Sequence, residues 1–122
     1  MIKIDLYSPY KGEIEIMFIE KDINEQVVFE VDLWYADFTS LMGYIPIISE
    51  PHPDSVLYNW QKGIGFFDEE NWECTRVQEF YNQIISITNI PASAGLDSVI
   101  NALIQICQSA LTNGNKLFIE YI

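Results

Sequence analysis

The spacing of apolar residues changes once along this chain of 122 residues, and the change limits the folds available to it. Between residues 2 and 34, apolar and polar side chains alternate, which is the pattern of β-strands with one buried face. From residue 69 onward, apolar side chains recur every three or four residues, as they do along one face of an α-helix. Strands followed by helices favour an α+β domain.

Three N-terminal strands are predicted, over residues 2–7, 13–19 and 26–34. Turn residues occupy positions 8–12, and a polar connection occupies positions 20–25. Because both connections are short, an antiparallel meander is the simplest arrangement. The sheet face turned away from the core is then charged, and it carries Lys3, Asp5, Glu13, Glu15, Glu30 and Asp32.

The rest of the chain completes the predicted fold. Residues 41–48 and 56–60 resemble short strands, separated by two prolines that oppose regular pairing. Helices are predicted over residues 69–88 and 96–111, and a strand that is apolar on both sides, and therefore suits an inner position, over 116–122. The expected fold is α+β: a mostly antiparallel sheet, made of the N-terminal meander and the C-terminal strand, with two helices packed on one face.

The charge balance narrows the choice of partners. Eighteen acidic and six basic side chains give a formal net charge of -12, whereas roughly 2 to 8 units keep a small domain soluble. Such a surface repels nucleic acids and anionic membranes, so we expect neither to be bound directly. A basic partner is expected instead. The length and the 49% hydrophobic content suit a single domain over residues 1–122.

The distribution of apolar and acidic residues also predicts where in the cell the protein is located. No apolar stretch approaches the roughly 18 residues that a membrane span needs. Acidic residues also interrupt the N-terminal region where a secretory signal would be apolar. We therefore expect a cytoplasmic protein in which Cys74 and Cys107 are reduced and serve as packing residues.

The sequence offers no coherent set of catalytic or metal-binding residues. His52 is the only histidine and lies in a loop between two prolines, so a zinc motif with two histidines is impossible. Residues 68–73 lack the frame of a calcium-binding loop. Gly63 and Gly65 are followed by acids that would repel a phosphate group. We expect no catalytic residue, no metal, no cofactor and no enzymatic activity.

Residues 68–73, DEENWE, place four carboxylates around one tryptophan. Asp68 suits the N-cap of the predicted helix, and acids in the first turn interact favourably with the helix dipole, at roughly 0.3 to 1 kcal/mol each. The cluster has more acids than a cap requires, and an accessible aromatic ring among acids is typical of a protein interface. A helix cap and a partner-binding site therefore both remain open for Asp68, Glu69, Glu70, Trp72 and Glu73.

The charged sheet face is a second candidate for partner binding. Like charges on neighbouring strands destabilise a sheet, so retaining them points to a use. Coverage of this face by lysines or by residues 35–67 is the alternative interpretation. The candidate residues are Glu13, Glu15, Glu30 and Asp32.

Taken together, these features resemble the immunity proteins of bacterial polymorphic toxin systems, in particular those of contact-dependent growth inhibition. The resemblance lies in the acidic balance, in aromatic and acidic segments such as residues 34–37 (WYAD) and 68–73 (DEENWE), and in the missing enzyme motifs. It implies a protein that binds a cognate toxin domain, often a nuclease such as an RNase with a basic cleft, and neutralises it through an acidic surface. Charge complementarity would speed the association.

Two other functions remain open from the sequence. An acidic mimic of nucleic acid would inhibit a DNA-binding protein, with acids spaced like phosphates along one elongated surface. A small ligand-binding or enzymatic domain would place clustered carboxylates in a concave pocket and raise their pKa values.

Overall fold

A computed structural model describes residues 1–47 and 49–122, and these residues form a mixed five-stranded sheet and four α-helices. The predicted α+β class is confirmed. The strands are β1 (Ile2–Asp5), β2 (Glu15–Lys21), β3 (Val27–Trp34), β4 (Trp72–Cys74) and β5 (Lys116–Tyr121). The helices are α1 (Tyr35–Met42), α2 (Val56–Lys62), α3 (Val77–Ile85) and α4 (Asp97–Asn113).

The strand order is β1-β3-β2-β5-β4, so the predicted N-terminal meander is wrong. Strand β3 lies between β1 and β2 and pairs in parallel with β1, which makes the sheet mixed. The connection from β1 to β2 passes the end of β3 and is held there. The ring of Tyr10 stacks on Trp34 with 4.2 Å between centroids, and the Tyr35 amide donates to the Ile14 carbonyl at 2.9 Å. Contacts between residues far apart in the sequence therefore fix the position of this connection.

The core forms on one face of the three middle strands. Alternate side chains of β2, β3 and β5 are buried there, as the period-2 pattern predicts. Helices α1 and α4 both contact β2 and β3, and α3 packs against α4. Strand β5 lies between β2 and β4, so the inner position expected for the last strand is confirmed. The buried sheet residues are Ile16, Phe18, Phe29, Val31, Leu33, Leu117 and Ile119.

The segment between β3 and β4 is helical, so the strands predicted over residues 41–48 and 56–60 are wrong. In α1, Phe38, Leu41 and Met42 are buried at helical spacing. In α2, the Ser55 hydroxyl accepts a hydrogen bond from the Tyr58 amide at 3.0 Å and caps the helix. Ile48, the last residue of the first predicted strand, lies outside the described residues.

The two helices predicted from residue 69 onward differ in accuracy. Helix α4 spans Asp97–Asn113 and agrees closely with the expected 96–111. Helix α3 begins only at Val77, because the residues before it form strand β4. Two helices were expected where the described residues contain four, since α1 and α2 were not anticipated. None of the described helices is long and apolar enough to cross a membrane.

Candidate protein-binding face

The strand register gathers charged side chains from all five strands on the sheet face opposite the core. We call this surface the acidic face. In its first row, Lys3, Glu30, Ile19, Phe118 and Glu73 follow one another across the sheet. The acidic face comprises Lys3, Asp5, Glu15, Met17, Ile19, Lys21, Glu30, Asp32, Trp34, Glu73, Lys116, Phe118 and Glu120.

The centre of the acidic face is apolar. Ile19 is 7% exposed, and Met17 and Phe118 beside it are half-buried. The ammonium group of Lys21 lies 4.8 Å from the centre of the Phe118 ring. Carboxylates, together with Lys21 and Lys116, surround these side chains, so the face has the apolar centre and charged rim that protein interfaces show.

A single lysine joins two carboxylates on the β1 side of the face. Lys3 Nζ lies 3.3 Å from Glu30 Oε2 and 3.4 Å from Asp32 Oδ2. The Lys3 side chain is 48% exposed, whereas that of Asp32 is only 6% exposed. Hydrogen bonds and charges from Glu30 and Asp32 raise the pKa of Lys3, so its ammonium group stays charged.

Asp32 is the most strongly perturbed acid on the face. Its burial, followed by a hydrogen bond and the charge of Glu30, raises the pKa of Asp32 to about 7, although Lys3 acts in the opposite direction. The Oδ1 atom of Asp32 is buried and has no hydrogen-bond partner among the described residues. Neutral pH therefore divides Asp32 between its protonated and ionised forms.

Two further acids of the face differ in their surroundings. Burial, together with the charges of Asp5 and Glu30, raises the pKa of Glu15. Hydrogen bonds from Ser8 and from the Tyr7 amide lower the pKa of Asp5, which caps the turn after β1. The face therefore combines Asp5, whose pKa is lowered, with Glu15 and Asp32, which take up protons more readily.

The four sheet acids predicted as partner-binding do not all belong to the face. Glu15, Glu30 and Asp32 lie there as expected. Glu13 lies in the connection before β2, where its amide donates to the Tyr10 carbonyl at 3.0 Å. Strand β2 begins two residues later than predicted, so Glu13 is an exposed loop residue.

Residues 68–73 do not start a helix, so the interpretation of Asp68 as an N-cap is wrong. Asn71 has a left-handed φ of 52°, and Trp72–Cys74 pair with β5 as an edge strand. Helix α3 begins three residues later with Arg76 at the cap position and no side-chain capping bond. Packing overrides the helical pattern here, because Trp72 and Cys74 face the core through their register with Ile119 and Leu117.

The tryptophan of this segment is also not the exposed ring that the sequence suggested. Trp72 is partly buried and packs edge-on against Phe66, with 5.6 Å between ring centroids. Glu73 points the other way, onto the acidic face, where Lys116 Nζ lies 3.8 Å from its Oε1. The structure thus separates Trp72 from Glu73 and adds Glu73 to the sheet acids.

Asp68, Glu69 and Glu70 form an exposed acidic turn at one end of the sheet. With the end of β5 they enclose a depression of about 460 Å³. Phe67 and Tyr121 contribute rings to this depression, with 4.9 Å between their centroids, and Glu120 adds a fourth carboxylate. Because Glu120 also belongs to the acidic face, the turn and the face meet at this residue.

Glu73 and Lys116, at one edge of the acidic face, also line a larger groove of about 1220 Å³. His52 and Cys74 both line it. Burial raises the pKa of Cys74 to about 12, and the residue is 2% exposed, so its thiol is a poor nucleophile. Arg76 in the same groove is engaged by Glu79 at 2.6 Å.

Several residues of the face were missed by sequence reasoning, although a signal existed for some of them. Phe118 and Glu120 alternate with the buried Leu117 and Ile119, which is the same period-2 pattern that identified β2 and β3. The strand had been read as apolar on both sides, and so its outer residues were not considered. The residues missed are Ile19, Lys21, Lys116, Phe118 and Glu120, besides Lys3 and Asp5, which the sequence identifies as charged but not as binding residues.

Within residues 1–47 and 49–122, no three or more His, Cys, Asp or Glu side chains are grouped so that they could hold a metal ion. Comparisons with protein-family models, with curated proteins and with solved structures found no match for this chain.

Proposed function

We propose that this chain is an immunity-type inhibitor, which binds a basic toxin domain in the cytoplasm through the acidic face and neutralises it. The observation that supports the proposal is the acidic face itself, which combines carboxylates from all five strands with an apolar centre. Asp5, Glu15, Glu30, Glu73 and Glu120 each come from a different strand.

The apolar centre favours a protein partner over the other candidates. Met17 and Phe118, on either side of the buried Ile19, offer surface that a partner's side chains can cover, and aromatic and aliphatic contacts of this kind carry much of the energy of protein interfaces. A mimic of the nucleic-acid backbone needs only spaced charges. A catalytic or ligand-binding site would need its carboxylates in a concave pocket, whereas Glu30 and Asp32 lie on a sheet face.

The partner that best fits this surface is a nuclease domain with a basic cleft. The carboxylates of the face would occupy positions that substrate phosphates otherwise take, and the apolar centre would cover the edge of the cleft. A net charge of -12 would steer the two proteins together, so the association rate should fall as salt is added.

Co-expression tests the proposal directly. The C-terminal domain of the protein encoded by the neighbouring gene is produced with and without this chain, and growth and complex formation are measured. We expect growth to be rescued and a complex to form at low salt. Toxicity that persists in the presence of this chain, or the lack of any complex at low salt, would contradict the proposal.

Matched variants test whether the acidic face is the surface used. Phe118→Ala combined with Glu120→Gln removes a central ring and a rim charge, and we expect the affinity to fall by about tenfold or more. Glu25→Gln combined with Glu50→Gln is the control, because both side chains are exposed and lie off the face. Equal affinities of the two double variants would show that another surface makes the contact.

The acidic turn is proposed as a flanking contact. Neutralising Asp68, Glu69 and Glu70 to the corresponding amides should mainly slow association and weaken its dependence on salt, because exposed rim charges act on the encounter rate. Stopped-flow mixing at several salt concentrations measures the effect. An unchanged association rate would assign the turn no part in binding.

A further inference from the structure

Asp32 occupies an unusual position on the acidic face. Its side chain is 6% exposed, and Lys3 Nζ lies 3.4 Å from its Oδ2. Its Oδ1 atom is buried and accepts no hydrogen bond within the described residues. A buried carboxylate oxygen without a hydrogen-bond donor destabilises the ionised form of the group. In the ionised form of Asp32, this oxygen can accept a further hydrogen bond, which the described residues do not donate.

The surrounding groups form a site that selects cations. Asp5 and Lys3 face Asp32 from β1, Glu30 lies beside it on β3, and Glu15 lies further along the face on β2. One ammonium group thus serves several carboxylates. Lys3 approaches both Glu30 and Asp32 while its side chain remains 48% exposed, so it can move away without disturbing the core.

We propose that Glu30 and Asp32 form a binding site for an arginine side chain of the basic partner, and that Lys3 occupies this site in the free protein. The inference rests on the proposed function, because the partner supplies the arginine. A guanidinium group carries five N–H donors in a planar fork and can reach both oxygens of a carboxylate, whereas an ammonium group acts as a point charge.

The neighbouring side chains suit an arginine. Met17 lies opposite Asp32 in the β2–β3 register and is half-buried, so it offers apolar surface to the methylene stem. The raised pKa of Asp32 fits the same arrangement, because a bound guanidinium would favour the ionised form and release the proton.

An arginine probe tests this site without the partner. Acetyl-arginine amide is titrated into the intact chain, and the side-chain carboxyl carbons are followed by NMR. Acetyl-citrulline amide has nearly the same shape without the charge and is the control probe. We expect the arginine probe to shift the Asp32 and Glu30 signals, and to bind Lys3→Met and Lys3→Gln about three- to tenfold more tightly than the wild type, because the competing lysine is gone.

The results that would overturn this inference differ from those that would overturn the proposed function. The inference is overturned if the Lys3 variants bind the arginine probe no more tightly than the wild type, if no shift occurs in them, or if citrulline shifts the same signals equally. Loss of the Glu30 shift in Asp32→Asn would support it. Failure of the proposed function would instead leave the arginine probe bound at Glu30 and Asp32 while the toxin domain does not bind.

Discussion

Replacing Asp32 by asparagine is expected to stabilise the protein at neutral and alkaline pH. In the folded chain, burial and the neighbouring Glu30 raise the pKa of Asp32 from 3.8 to about 7. Between these two pH values, the folded state holds a proton that the unfolded state has released, so the wild type loses stability as pH rises through this window. Asparagine does not ionise, and the variant avoids the loss.

The shift in pKa sets an upper limit on the gain. At about 1.4 kcal/mol for each pKa unit, a rise from 3.8 to about 7 corresponds to about 4 kcal/mol above neutral pH. The pKa of about 7 already includes the attraction by Lys3, and water at the face screens the charges, so only part of this energy is recovered. We expect Asp32→Asn to raise the free energy of unfolding by about 1 to 2 kcal/mol at about pH 8, and to leave it nearly unchanged at about pH 4.

Urea unfolding, followed by tryptophan fluorescence at about pH 4, 6 and 8, measures this difference. Glu25→Gln is the matched control, and it should alter stability little at any of these values because the Glu25 side chain is exposed. An Asp32→Asn variant that is no more stable than the wild type at about pH 8 would refute the reasoning. The same variant should bind the basic partner more weakly, so its stability and its affinity are expected to change in opposite directions.

Three further predictions concern the scaffold. Gly65→Ala should lower the free energy of unfolding, measured in urea, by about 2 to 4 kcal/mol. Gly65 has a φ of 67°, and an added Cβ would collide with the buried Asn59 side chain. Gly63 has the same φ but open space around it, so Gly63→Ala should cost only about 1 kcal/mol. Ser55→Ala should cost about 1 kcal/mol in the same assay through loss of the α2 cap. Burial raises the pKa of Cys74 and of Cys107 to about 12, so a disulfide reagent at about pH 8 should label both thiols only as fast as the protein opens, and immediate labelling would contradict their burial.

The sequence allowed one face of the sheet to be predicted well. In β3, Glu30 and Asp32 alternate with Val31 and Leu33, and a sheet with one buried face requires that alternation. The charge of the opposite face followed directly. Which strands pair with each other could not be predicted in the same way. The position of β1 depends on contacts between distant parts of the chain, such as the stack of Tyr10 on Trp34.

The residues 68–73 show where local pattern fails. The apolar residues at helical spacing begin only at Val77, but acids before such a stripe are typical of a helix start. The deciding interactions are non-local: Trp72 pairs with Ile119 in the sheet and packs on Phe66. In α2 the opposite holds, because Ser55 and Gly63 bracket the helix with ordinary start and stop signals that could have been recognised.

Because β5 pairs with β2, the acidic face is complete only after the C-terminal strand has joined the N-terminal strands. Tyr121 pairs with Ile16, and Asn115 donates to Glu20 at 2.7 Å, so the middle of the sheet joins segments that lie far apart in the sequence. No continuous piece of the chain carries the whole acidic face, because Glu73 and Glu120 join it from β4 and β5, far along the sequence from β1, β2 and β3. Competence to bind should therefore arise in the same cooperative step as folding. A partner that binds the acidic face therefore binds only the folded protein.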